Sequence, residues 1–154
     1  MEHLFETELE LPLPIENVFA FFAEATNLQR ITPPELHFQI LTPSPIDLKP
    51  GSLIDYRLHL MGIPFGWRTV ISAWDPPYSF TDEQLRGPYA SWIHRHTFVP
   101  TEKGTMIRDR VRYRLPLFPF GEIAYPLVHH QISRIFDYRK GAVVAELMKN
   151  GAGV

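Results

Sequence analysis

From Leu36 to Leu115 the chain is written in short runs of alternating apolar and polar residues, each closed by proline or glycine, and only one long helical period follows them. Leu36, Phe38 and Ile40 alternate with His37 and Gln39, and Ile54, Tyr56, Leu58 and Leu60 alternate with Asp55, Arg57 and His59. Gly62-Ile63-Pro64 marks a turn before a strand from Trp67 to Trp74. Pro76-Pro77 precedes Tyr78 to Leu85, and Gly87-Pro88 precedes Ala90 to Val99. Thr105 to Leu115 then returns around Thr101-Glu102-Lys103-Gly104. Consecutive strands on short turns predict an antiparallel meander with one wet face and one buried face. The buried face needs a cover. From Ile123 to Met148, Leu127, Val128, Ile132, Ile135, Phe136, Val143 and Leu147 fall at helical spacing, and no other segment is long enough to span such a sheet.

The first forty residues complete the order. Phe5, Thr7, Leu9 and Leu11 alternate with Glu6, Glu8 and Glu10, which predicts a half-buried strand with an acidic outer face. Pro12 stops it, Pro14 suits the first turn of a helix, and Val18, Phe19, Phe21 and Phe22 give that helix an apolar side. Thr26-Asn27-Leu28-Gln29 has the capping-box pattern for a second short helix, which Pro33-Pro34 ends. A chain of 154 residues is one ordinary domain, predicted over 1–150 with 151–154 as a frayed tail. It has no cysteine, which excludes disulfides, thiolate nucleophiles and Cys-type zinc sites. A net charge of −2 carries no global basic bias toward nucleic acid. No signal-peptide pattern and no membrane-length apolar run is present, so a cytoplasmic protein without membrane insertion is expected. Nor is there a phosphate-binding glycine loop, a dinucleotide fingerprint or a nucleophile elbow.

His94-x-His96 is the sharpest local feature. Residues two apart on a strand share a face, so Trp92, His94, His96 and Phe98 form one stripe, and Ile107, Asp109, Val111 and Tyr113 form another on the next strand. Arg108, Arg110, Arg112 and Arg114 then point outward, where Glu6, Glu8 and Glu10 can pair with them. If Pro100 pairs with Thr105, His96 lies opposite Asp109; a bulge at Gly104 would instead set it beside Arg110, and the first register joins the two inward stripes. Three readings of the His96–Asp109 pair stand open: a satisfied buried polar pair, general acid–base catalysis, or a metal site completed by His94. Asp82 and Gln84 on the preceding strand face either the interior or solvent, and Tyr56 and Tyr113 can place phenols near a cavity. His129 and His130 are expected at the surface or rim of the long helix.

The stretches Phe80-Thr81-Asp82-Glu83-Gln84-Leu85-Arg86-Gly87-Pro88-Tyr89, Trp92-Ile93-His94-Arg95-His96-Thr97-Phe98, Gly104-Thr105 and Asp109-Arg110-Val111-Arg112-Tyr113 resemble a bacterial ligand-binding subgroup of the START/birch-pollen-allergen superfamily, also called SRPBCC or polyketide cyclase/dehydrase-like proteins. Pro14 to Phe19 and Trp74 to Pro77 sit where that superfamily has similar stretches. The resemblance covers about the whole chain. It implies an α+β helix-grip fold: a strand, two short helices, a six-strand antiparallel meander and a long C-terminal helix packed on the concave sheet face. It also implies a cavity between sheet and helix. The expected occupant is a small apolar or amphipathic molecule such as a lipid, polyketide or aromatic metabolite, with no cofactor and no bound metal. The expected ligand-binding residues are Tyr56, Phe80, Gln84, Trp92, His94, His96, Phe98, Asp109, Tyr113, Ile132 and Phe136. The rival reading is a cyclase or dehydratase with His96 as general base and Asp109 as its orienting partner.

Overall fold

Alternation decides the first strand: β1 (His3–Leu11) exposes Leu4, Glu6, Glu8 and Glu10 and turns Phe5, Thr7, Leu9 and Leu11 inward. In the computed structural model, which describes residues 1–151, it is followed by α1 (Ile15–Ala23) and the single-turn α2 (Asn27–Arg30). Then come β2 (Gln39–Ile40), β3 (Leu53–Leu60), β4 (Ile63–Asp75), β5 (Ser79–Arg86), β6 (Ser91–Thr101), β7 (Gly104–Arg114) and α3 (Tyr125–Gly151). The seven strands form one antiparallel sheet in the order β1-β7-β6-β5-β4-β3-β2. This is the α+β architecture expected from the element order, in the helix-grip arrangement that the resemblance implies. The expected tail lies outside the described residues except for Gly151, which ends α3. Among the described residues no helix is long and apolar enough to cross a membrane.

Several boundaries differ from the sequence pattern, each for a local reason. The 36–40 strand shrinks to two residues because Leu36 ends a 3-10 turn (Pro34–Leu36) and His37 takes a left-handed φ of 46°. The β3–β4 turn is Met61-Gly62, with φ of 52° and 79°, a mirror-image turn that suits the strand twist. β4 therefore starts at Ile63 and contains Pro64. The proline is tolerated because β5 pairs with β4 only from Arg68 onward, so no neighbour asks for its missing N–H. The Thr26 capping box does not form: Thr26 Oγ1 donates to Glu24 Oε1 instead, and α2 lasts one turn.

The β6–β7 hairpin has the register in which Pro100 faces Thr105 and His96 faces Asp109. Arg95, Arg108, Arg110, Arg112 and Arg114 are all exposed on the outer face. Arg108 meets Glu8 at 3.3 Å and Arg112 meets Glu2 at 3.9 Å across β1, pairs that in water stabilise little. Inside, the apolar side chains separate into three groups. One joins α1 to Phe80, Phe98, Val143 and Leu147; one joins Val111, Tyr113 and Leu115 to Val128, Ile132 and Phe136; a third gathers Leu36, Leu58 and Leu60. The helix α3 approaches β1 most closely and stands off the central strands, which leaves space between the groups.

The hairpin is anchored to the start of the chain. Thr105, fully buried, donates through Oγ1 to Leu13 O at 2.7 Å. Gly104 beside it has φ of 148°, and a Cβ there would collide with the Leu11 carbonyl oxygen. We expect Gly104→Ala to lower unfolding stability by about 2–4 kcal/mol, combining backbone strain and overpacking, as read from urea denaturation midpoints. An unchanged midpoint would show that the β1–α1 connection yields freely.

Candidate functional site

Three neighbouring strands turn their polar residues to the same interior point. Asp82 on β5 stands directly opposite His94 on β6, and Asp109 on β7 stands directly opposite His96. The hydrogen bonds run diagonally instead. His94 Nε2 lies 2.7 Å from Asp109 Oδ1, and His96 Nε2 lies 2.6 Å from Asp82 Oδ2. An ionised carboxylate can only accept, so each imidazole donates from Nε2 and keeps Nδ1 as its second site. The direct neighbours are farther: His94 Nδ1 to Asp82 is 3.8 Å and His96 Nδ1 to Asp109 is 3.4 Å. The two imidazole centroids are 3.7 Å apart, with Phe80 stacked on His96 at 4.1 Å and the edge of Phe136 against His94 at 5.4 Å. His96 therefore takes Asp82 as its hydrogen-bonded partner, not the Asp109 that faces it. His96 Nδ1 is buried without a hydrogen-bond partner.

The pairs set their own protonation. Burial works to raise the Asp82 carboxyl, but the His96 hydrogen bond and the charges of His94, His96 and Arg139 outweigh it and hold Asp82 below the usual range. Asp109 is lowered in the same way, with His94 as its hydrogen-bonding partner. Burial lowers His96, and the nearby positive form of His94 lowers it further, against the opposing pull of Asp82 and Asp109. Two cationic imidazoles in this contact would repel, which is consistent with a neutral His96.

Asp82, His94 and His96 line a cavity of about 170 Å³ between sheet and α3, large against the ~10–15 Å³ that a single water requires. Its wall is mostly aromatic and aliphatic: Phe21, Phe38, Leu58, Trp67, Phe80 and Trp92 from the sheet and short helices, Ile132, Ile135 and Phe136 from α3. Tyr56 and Tyr89 add phenols that burial pushes well above the usual tyrosine range, so both stay neutral. Of the residues expected to bind a ligand, Tyr56, Phe80, Trp92, His94, His96, Ile132 and Phe136 line this cavity. Four do not. Gln84 is used up locally: its Nε2 donates to Tyr89 O and its Oε1 accepts from Tyr89 N, which closes the β5–β6 connection. Phe98 is core, packed edge-on against Phe19 at 5.4 Å. Asp109 sits behind the histidines, bordering a small side pocket. Tyr113 is fully buried with its hydroxyl 3.2 Å from His129 Nδ1, and burial pushes its phenol up to about 12. His129 is thus half-buried, while His130 is exposed.

Among the lining residues absent from the expected set, two carry charge into the interior, Asp82 and Arg139. Asp82 had an ambiguous strand pattern, and its inward face follows from pairing with His94. Arg139 was hidden by its charge, although it sits three residues after Phe136 and four before Val143 on the inward stripe of α3. Asp82, His94 and His96 offer ligand atoms within 4.8 Å of one another, so a metal triad from this site would include Asp82 in place of Asp109. A metal bound there would take the place of the proton that His96 Nε2 donates to Asp82.

The linkage has a definite sign. His96 is depressed in the folded chain, so its contribution is complete above the unfolded value of ~6.5 and is lost as pH falls toward and through the folded value. The lowered carboxylates Asp82 and Asp109 lose theirs in the same direction, below ~4. Stability should therefore decline on acidification from about pH 6.5. His96→Gln, which retains an amide donor toward Asp82, should flatten the wild-type slope between about pH 6.5 and 5. Urea unfolding midpoints at half-unit pH steps check this; parallel curves for the two proteins would remove His96 as the titrating group.

No family model and no curated protein sequence matches the chain. Solved structures do. The Zhui aromatase/cyclase from Streptomyces sp. R1128 superimposes with a TM-score of 0.77 at 14% identity, covering 97% of this chain and 95% of that one. Norcoclaurine synthase from Thalictrum flavum, a point mutant in complex with a transition-state analogue, gives 0.72 at 15% identity, with 98% and 97% covered. Ara h 8.0201 gives 0.65 at 18% identity, with 94% and 99% covered. Each of these superpositions runs over nearly the full length of both chains, so the protein shares the fold of these structures: the helix-grip fold, a seven-stranded antiparallel sheet with a long terminal helix.

Proposed function

We propose that the protein binds a small apolar or amphipathic molecule in the cavity between its sheet and α3. The observation that carries this reading is the cavity itself: about 170 Å³ of space walled mainly by apolar side chains, where a fold of this size would otherwise close its core. Burial of an apolar body there would contribute roughly 25 cal/mol per Å² removed from water, before ordering costs. Polar groups of the wall, among them Tyr56, Asp82, His94 and His96, would fix orientation and reject molecules that leave them unpaired.

A catalytic reading is favoured by one detail, the unpartnered Nδ1 of His96 opposite its Asp82-bound Nε2. A histidine held in one tautomer by a carboxylate is the arrangement a general base requires, and two structural relatives bear the names aromatase/cyclase and synthase. Asp82, rather than Asp109, would then be the orienting group. Binding is preferred because that Nδ1 is itself buried, 3.4 Å from the Asp109 carboxylate, rather than open to a substrate.

Native mass spectrometry of the purified protein should show a non-covalent small molecule that is lost on denaturation. With the site emptied, the neutral probe N-phenyl-1-naphthylamine should bind with enhanced fluorescence, and Leu58→Trp, which fills the cavity, should weaken it by at least about tenfold. No co-purified mass together with no probe binding would sink the reading. If a co-purified ligand is chemically changed by wild type but bound unchanged by His96→Ala, the catalytic reading prevails.

A further inference from the structure

Arg139 is the one residue of the cavity wall whose chemistry the site leaves unexplained. On α3, Ile132, Ile135 and Phe136 face the cavity, and Arg139 continues that stripe one turn on, where the pattern calls for an apolar residue. Its guanidinium carbon lies 5.0 Å from the centroid of Phe136. Its Nε is buried with no hydrogen-bond partner, and none of the ion pairs among the described residues includes it.

The nearby carboxylates are committed elsewhere. Asp82 accepts from His96 at 2.6 Å and Asp109 from His94 at 2.7 Å. Glu8, on the rim of the small pocket that Arg139 also borders, meets Arg108 at 3.3 Å. Asp82 and Asp109 act on Arg139 through space, without a direct bond. A guanidinium remains charged at any physiological pH and offers five donors in a planar fork. Removing such a group from water without an acceptor is costly, and a carboxylate on the bound molecule would meet it in bidentate geometry.

We propose that Arg139 anchors a carboxylate, so that the cavity takes an apolar, ring-sized molecule bearing one acidic group. This rests on the cavity-binding reading above. The paired histidines make that charge acceptable: with each Asp held by an imidazole, the wall presents Arg139 as its free cation to an incoming anion.

Two isosteric probes, 2-naphthoate and 2-naphthamide, separate the parts of the argument by calorimetry at neutral pH. Wild type should bind the naphthoate about tenfold or more tightly than the amide. R139M should lose that preference while holding the amide within about threefold, and R139K should retain part of it, because charge survives but the fork does not. Circular dichroism checks that both variants fold; should R139M not fold, the wild-type ratio and R139K decide alone. Equal wild-type affinity for the two probes, or a preference that survives in R139M, overturns the anchor and leaves the cavity reading standing. Binding of neither probe by wild type removes both.

Discussion

A single helix, about 10–12 Å across with its side chains, cannot cover seven strands spaced about 4.8 Å apart, a sheet roughly 29 Å wide. The rest of this structure depends on that mismatch. The sheet's apolar face is closed in pieces: by α3 against β1 and β7, by α1 over β6 and β7, and by the turns before β2 against β3. Where the pieces meet they do not interdigitate, and the interior separates into three packed groups around a void. The aromatic side chains make this tolerable. Phe19, Phe80, Phe98 and Trp74 pack edge-on, tilted or stacked at centroid distances of 5.3 to 6.1 Å, which stiffens the wall without filling the centre.

A hollow interior lowers the cost of polar side chains but does not abolish it. Four titratable residues on β5, β6 and β7 could not be left unpaired there. Their pairing is diagonal across three strands, so the network crosslinks β5, β6 and β7 in addition to the backbone ladder. It also sorts the charges. The carboxylates are kept ionised by imidazole donors, His96 is kept toward its neutral form by burial, and Arg139 is left facing the cavity without a direct acceptor. One arrangement thus supplies rigidity, a fixed tautomer and a directional electrostatic wall.

Much of this was legible in the chain. The proline breaks at Pro12 and Pro76-Pro77, the alternation of β1 and the arginine row on β7 announced which faces are wet, because a strand's period of two leaves few choices. The β6–β7 register followed from requiring the Trp92 and Tyr113 stripes to meet. Other features were not legible. Leu36 to Ile40 alternates as a strand would, yet a 3-10 turn and the left-handed His37 claim most of it. Gln84 has the spacing of a wall residue but is consumed by the Tyr89 backbone.

What the sequence by itself determined is the element order, the inward and outward faces and the gathering of His94, His96 and Asp109 on adjacent strands. These depend on periodicity and short-range turn chemistry, which act along the chain. Tertiary structure alone decided that His96 bonds Asp82, that Tyr113 and Phe98 are filled core, and that Arg139 enters the cavity. Those outcomes depend on sheet curvature and on how far α3 stands from the strands. Both are set by the summed packing of residues distant in sequence, which no local pattern encodes.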